Sequence, residues 1–393
     1  MNEKINFIMI SPHFPTNFET FAVRLKEKGI NVLGIADEPY DNLSMTLRNN
    51  LTEYYRVDNM DDYDQMYRAV AYFAFKYGKI DRIESHNEHW LELDAQLRTD
   101  FNVFGYKNLD IRLVKFKSTM KEVFREIGIP VAKGRVIKSE PDAIKLAKEL
   151  KYPVIIKPDT GVGANDTYKI KSRQELKDIL PALRPDVPYI MEEYIEGDIV
   201  TFDGLTNRDG EIVFASTLNN DKPIIDILED NTDMFYHIPR EIPKDLYDYG
   251  VKCVEAFGIK ERFFHFEFFR TKDGSLYALE VNCRPPGGYT IDMFNYANDF
   301  DIFSEYANLV KDNEFKAEIT RPYHALYISR RSHVDYAYTN EEIKDKYRDE
   351  LIMVVHVPGV FSQLMGESGM IFRLKEEDKL NEIIENVSKR RVG

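Results

Sequence analysis

A chain of 393 residues is long enough for two or three domains with substantial cores. Its 43% hydrophobic and 31% charged fractions are those of a soluble globular protein, and no run approaches the roughly 18 apolar residues of a membrane span. A formal net charge of -14 argues against a nucleic-acid backbone or an anionic membrane as the main partner. Cys253 and Cys283, without metal-type spacing, fit a reducing compartment, and the opening MNEKINFIMISPHFP lacks the pattern of a signal peptide. The expected location is the cytoplasm.

Residues 5 to 10 form a short apolar run ending in Ser-Pro, and residues 17 to 28 follow with helical spacing up to Gly29. Strands are predicted at 31–36, 54–57 and 80–84, with helices at 61–77 and 88–98. Strands alternating with helices imply a parallel sheet covered on both faces, with ligands beyond the carboxyl ends of its strands. That edge carries Ser11 to Phe14 and Ser85 to Glu88. No G-x-G-x-x-G follows the first strand, so dinucleotide binding has little support.

Residues 107 to 127 read as helical, and Lys117 stands eleven residues before Gly128-Ile129-Pro130. A strand at 134–137, a helix at 141–150 and a strand at 153–157 lead to the loop Lys157-Pro158-Asp159-Thr160-Gly161-Val162-Gly163-Ala164-Asn165-Asp166. Its glycines permit the close backbone approach that phosphates need, although a plain hairpin loop has the same make-up. The lysine precedes the glycines, so this is no Walker A loop. Strands at 167–170 and 189–194 follow, the second running into Glu192-Glu193-Tyr194-Ile195-Glu196-Gly197-Asp198. A strand edge can read adenine with one carbonyl and one N–H; acidic residues there read equally as solvation of an edge.

Strands at 199–207 and 211–218 and a helix at 244–257 precede Phe263 to Gly288, FFHFEFFRTKDGSLYALEVNCRPPGG. Aromatic and β-branched residues flank Asp273-Gly274, the signature of a hairpin. Strand alternation puts His265, Glu267 and Phe269 on one face, and Glu280, Asn282 and Arg284 on one face, with Leu279, Val281 and Cys283 turned away. Two carboxylates about 4 Å apart repel by roughly 4 kcal/mol at intermediate dielectric, a penalty that a divalent cation removes. Carboxylate and amide oxygens suit Mg²⁺, and the Arg284 fork suits a phosphate or carboxylate. His237 and His265 read as hydrogen-bonded structural residues, and Met234 with its neighbouring aromatics as core. A helix near 301–310, strands at 321–329 and 351–357, and a solvated Lys- and Glu-rich terminal helix complete the chain.

Glu267 with Glu280-x-Asn282-x-Arg284, then Pro and Gly, resembles the metal-binding strands of the ATP-grasp ligases, the fold of biotin carboxylase, carbamoyl phosphate synthetase and D-alanine ligase. The resemblance implies an α/β fold: a Rossmann-like pre-grasp domain over 1–106, then an ATP-grasp fold of two α+β lobes. The small lobe with linker helices would span 107–190, and the large lobe with a C-terminal extension 191–393. Lys117, Lys157, Gly161 and Gly163 would attend the nucleotide phosphates. The backbones of Glu193 and Ile195 would read adenine, with Glu192 near its amine and Asp198 on the ribose. Glu267, Glu280 and Asn282 would hold Mg²⁺ or Mn²⁺, with Arg284 and Lys157 catalytic.

Glu88 is placed like a substrate-approaching glutamate of the family, or is simply a carboxylate favoured by a helix N-terminus; Arg330 and Arg331 point to opposite sides of a strand, so at most one reaches the site, and Arg330 is the expected substrate contact. The sequence departs from the family at Phe116, where an Asp is usual, and at Ala164 and Asp166, where Ser and Gly are usual. The implied activity is ATP-dependent ligation of a small-molecule carboxylate to an amine, with a homodimer as a family habit. The alternatives are a kinase that stops at phosphorylation and a non-catalytic ATP-binding protein.

Overall fold

The computed structural model describes residues 4–161, 166–220, 232–357 and 359–391. Strands β1 (Asn6–Ile10), β2 (Asn31–Ala36), β3 (Glu53–Arg56) and β4 (Arg82–Glu84) form a parallel sheet in the order β3-β2-β1-β4. β1 is buried along its whole length, so it reads as unbroken apolar sequence rather than an alternating one. Its residues still divide by face: Phe7 and Met9 join Phe21 and Leu25 on one side, while Ile8 and Ile10 join Met66 and Phe73 on the other. A helix at Met45–Asn50, which apolar periodicity does not announce, is started by the Ser44 hydroxyl accepting from the Leu47 amide at 3.0 Å.

The segment 107–127 is not one helix. A short 3₁₀ turn, Ile111–Val114, is separated from the α-helix Lys117–Glu126 by Phe116, extended at φ -98° and ψ 117°. The break exposes helix-start amides, and Asp159 fills the role of a cap from a distant loop. Its carboxylate accepts from Ser118 N and Ser118 Oγ, both at 2.7 Å, and its carbonyl accepts from Lys117 N at 2.8 Å.

Strands β5 (Gly134–Val136), β6 (Val154–Pro158), β7 (Tyr168–Ile170) and β8 (Tyr189–Glu193) make a small antiparallel sheet, ordered β5-β8-β6-β7. The third sheet contains β9 (Gly197–Thr206), β10 (Ile212–Asn220), β11 (Phe235–Ile238), β12 (Phe263–Thr271), β13 (Leu276–Asn282), β14 (His324–Arg330), β15 (Leu351–His356) and β16 (Ser368–Leu374). Their order is β13-β12-β9-β10-β11-β14-β16-β15. Residues read only as apolar core around Phe235 are thus a pairing strand. The terminal helix Asp378–Ser388 buries Leu380, Ile383 and Val387, so one of its faces is core rather than solvated. Among the described residues no helix is long and apolar enough to cross a membrane.

A buried ionic cluster joins the first sheet to the third. Arg98, with no exposed surface, donates to Ile83 O at 2.8 Å and lies 2.8 Å from Glu84 and 3.6 Å from Asp94. Glu84 also meets Arg262 at 2.5 Å, and Arg262 donates onward to Cys283 O at 3.1 Å. Burial opposes the Glu84 charge, but Arg262 and Arg98 outweigh it and hold the carboxyl below its usual range; Asp94, where burial dominates, is pushed up to about 6. Replacing Arg98 by Met removes a cation from two buried carboxylates, and the expected loss is about 3–5 kcal/mol of unfolding free energy. Urea denaturation measures it; a loss below about 1 kcal/mol would mean that the cluster does not hold this junction.

Candidate active site

A cavity of about 520 Å³ opens between the small sheet and the third sheet. Its floor is set by cross-strand register. Glu280 lies opposite Glu267, Glu267 opposite Thr201, and Thr201 opposite Leu218, one row across four strands. Asn282, His265, Asp203 and Ser216 make the neighbouring row. Phe264, Phe266 and Phe268 point the other way and are wholly buried, so the polar row can face the cavity without costing the sheet its core.

Leu279 departs from the alternation expected of β13. The pairing slips between Glu267 and Phe268, so that Phe268 faces Ala278 and Leu279 is the extra residue. The bulge turns Leu279 to the cavity beside Glu280, while Leu276, Ala278, Val281 and Cys283 remain in the core.

His265 is clamped between carboxylates, Nδ1 at 2.5 Å from Asp203 and Nε2 at 3.1 Å from Glu267. Burial works against its charge, but Asp203 and then Glu267 overcome it and raise the imidazole to about 9. A doubly protonated ring donates to both acids and fixes the Glu267 carboxylate in place. Burial likewise disfavours the Glu267 anion, yet His265, Arg284 and Lys117 together bring it below its ordinary range. Glu280 moves up, through burial first and the facing Glu267 second, only partly offset by Lys117 and Lys157. Of the two facing acids, Glu280 is thus the one whose charge burial and its neighbour disfavour.

Lysines supply part of it. Lys117, at the first turn of its helix, reaches Glu280 at 3.4 Å and donates to Gly161 O at 3.2 Å. Lys157 meets Glu192 at 3.0 Å, and Lys121 meets the other oxygen of Glu192 at 2.7 Å. All three are buried. Burial would lower Lys157, but Glu192 and Glu280 raise it, so it remains an ammonium. Glu192, despite burial, is drawn down to about 2 by Lys157 and Lys121.

Arg284 donates to Pro285 O at 2.9 Å and to Asn282 at 3.3 Å, and its Nε lies 3.3 Å from Glu88. The second Glu88 oxygen is 3.3 Å from Lys115. Glu88 is therefore a buried link from the first sheet to Arg284, not a free helix-start carboxylate. Among the described residues no group of three or more His, Cys, Asp or Glu side chains could hold a metal. Glu267, Glu280 and the Asn282 amide are three hard oxygen donors, and the upward shift of Glu280 marks a site that a cation would relieve. This set fits Mg²⁺, which fills the rest of its shell with water and phosphate oxygens.

Ile195, Glu192 and Glu193 line the cavity, and Glu193 also accepts from Lys133 N at 2.8 Å. Asp198 does not: Ile199 and Thr201 face the cavity, and the period of two turns the exposed Asp198 to the opposite side of β9. Arg330 is also spent elsewhere, donating to Val387 O at 3.0 Å, Tyr338 O at 2.8 Å and Asn340 at 2.7 Å. Arg331 likewise holds the carbonyls of Thr232 and Gln363. Gly161 is present with φ +133°, a conformation natural to glycine; Gly163 lies outside the described residues. Asp166 pairs with Arg184 at 2.9 Å, which balances the charge it adds to the loop. Asp159, Lys121 and the Asp203–His265 pair escaped the sequence reading as site residues, because each acts through partners distant in the chain.

A family model described as an ATP-grasp domain matches residues 150–292. The chain is 28% identical over 271 residues to the L-arginine-specific L-amino acid ligase of Bacillus subtilis, which covers 65% of this chain and 63% of that protein. It is 30% identical over 176 residues to the D-alanine--D-alanine ligase of Pseudomonas fluorescens, covering 43% of this chain and 53% of the relative. The chain thus spans less than two thirds of either relative's length. Among solved structures, an L-amino acid ligase from Bacillus licheniformis superposes with TM-score 0.77 at 16% identity, over 98% of this chain and 97% of that one. The biotin carboxylase domain of Hydrogenobacter thermophilus 2-oxoglutarate carboxylase, solved with MgADP and bicarbonate, gives TM-score 0.70 at 16% identity, over 100% of this chain and 91% of that one. At such identities the likeness speaks for the fold.

The Lys121–Glu192–Lys157 arrangement makes stability depend on pH. Glu192 titrates at about 2 in the folded chain against 4.5 ordinarily, so its contribution, about 3 kcal/mol, is complete above the ordinary value and is lost as pH falls toward the lower one. The stability gap between the wild type and Glu192→Gln should therefore narrow by about 2 kcal/mol between pH 6 and pH 3. Urea unfolding at the two pH values reads it, and a constant gap would show that Glu192 is not held ionised by the lysines.

Proposed function

The chain belongs to the ATP-grasp superfamily, and on that premise we propose that it is an ATP-dependent ligase that joins a small-molecule carboxylate to an amine. The observation that carries this reading is the Glu267–Glu280 pair, facing across one register position with Lys117, Lys157 and Arg284 around it. Two relatives with ligase names point the same way. The domain assignment 1–106, 107–190 and 191–393 is part of the same proposal, the first sheet supplying Glu88 to a site built by the other two.

In this reading the Glu193 carbonyl and Ile195 N–H address adenine, and Ile199 offers an apolar wall where Asp198 would have offered a carboxylate. Lys117 and Lys157 offset phosphate charge, each kept in place by a carboxylate of the chain. Glu267, Glu280 and Asn282 would hold Mg²⁺ or Mn²⁺, which when bound draws charge from the phosphates during transfer. Arg284, braced by Glu88, orients the substrate carboxylate. A carboxylate oxygen forms a bond to the γ-phosphorus as the bond to ADP breaks, giving an acyl phosphate. The amine nitrogen then bonds to the acyl carbon, loses a proton, and phosphate departs. No side-chain nucleophile is required, and neither cysteine supplies one: both are buried, and burial pushes the Cys283 thiol up to about 12.

Glu280→Gln removes a carboxylate that the metal would need and whose charge burial and the facing Glu267 disfavour. Its ADP formation in Mg²⁺ and ATP should fall at least about 100-fold, the scale of a lost electrostatic contact to the transition state. Its melting temperature should stay level or rise, since a buried like-charge contact disappears. A retained rate would sink the metal assignment. ADP formed without any amine, together with a stable phosphorylated product, would instead identify a kinase.

A further inference from the structure

Beyond the glutamate pair the cavity floor changes character. From β12 it continues over β9 and β10 to β11, and with strands about 4.8 Å apart Leu218 lies roughly 10 Å from Glu267, with Tyr236 one strand further. There the walls are Leu218, Met234, Tyr236, Leu364 and Met365. Leu218, Met234 and Met365 are at least nine-tenths buried and belong to the main apolar core. Among the described lining residues of this half, none bears an ionised side chain. The two halves therefore offer opposite chemistry: fixed charge from Lys117 to Arg284, and apolar surface with a few neutral polar groups beyond it.

We infer that the carboxylate substrate has an uncharged, apolar body, which lies over β10 and β11 while its carboxylate meets Arg284. This inference rests on the ligase reading of the same site. A substrate with an ionised side chain would press that charge against Leu218, Met234, Leu364 and Met365, which is far costlier than a mismatch of one methylene. Gly287 borders this half, and a Cβ placed there would meet nothing within 4 Å. A larger side chain at 287 would therefore enter open space and shorten the room for the substrate body.

The test is steady-state ADP formation by the full chain with Mg²⁺ and ATP, against single amino acids serving as carboxylate and amine, with products identified by mass spectrometry. Leucine, methionine and phenylalanine should exceed glutamate, lysine and arginine by about 100-fold or more in kcat/KM. Gly287→Leu should melt at the wild-type temperature and raise KM at least about tenfold for phenylalanine while leaving alanine nearly unchanged. Charged amino acids used as well as apolar ones, or an unchanged KM for phenylalanine in the variant, would overturn the inference and leave the ligase reading standing. ADP formation no faster than that of Glu280→Gln with every acid would overturn the ligase reading, and this inference with it.

Discussion

Two carboxylates that face each other across a sheet, half enclosed, set the terms for this molecule. Water cannot screen them fully, so the ionised neighbours of Glu267 and Glu280 answer their charge. His265 is held protonated between Glu267 and Asp203, Lys117 reaches Glu280 from a helix start, and Arg284 stands at the strand end. Burial and the facing Glu267 still raise Glu280 against the pull of Lys117 and Lys157. A divalent cation with phosphate is the occupant we propose for this pair.

Holding such a site requires groups that never enter it. Asp159 caps the Lys117 helix from the loop that follows Lys157, so the two lysines that flank the cavity are positioned by one short stretch of chain. Lys121 shares Glu192 with Lys157, which keeps both ammonium groups buried without leaving a bare charge. Arg262 ties Glu84 of the first sheet to the carbonyl of Cys283, next to Arg284, while Glu88 bridges Lys115 and Arg284. The first sheet is thus tied to the segment after β13 at two points, Cys283 and Arg284.

Much of the site was legible from residue order. An Asp-Gly turn between aromatic strands marks a hairpin, and the shared face of Glu267, Glu280 and Asn282 follows from a period of two with the turn as anchor. Lys117 and Lys157 rest on motif order. Where the reading went astray, a local rule met a non-local constraint. Asp198 was one residue out of phase with the cavity face of β9, and Arg330 was consumed by carbonyls of the C-terminal segment. Leu279 was turned by a bulge that depends on how β12 and β13 slip past each other, a property of the pair and not of either strand.

The sequence by itself determined the alternation of strands and helices in the first sheet, the central hairpin, and the row of polar side chains on one face of that hairpin, because periodicity and turn chemistry act over a few residues. Only the tertiary structure decided which acid meets which base. Pairing of Glu192 with Lys121 and Lys157, of His265 with Asp203, and of Glu84 with Arg98 and Arg262 joins segments whose separation along the chain carries no trace of the contact. Charge placement in a buried site follows distance and dielectric in three dimensions, and neither has a period that a sequence can display.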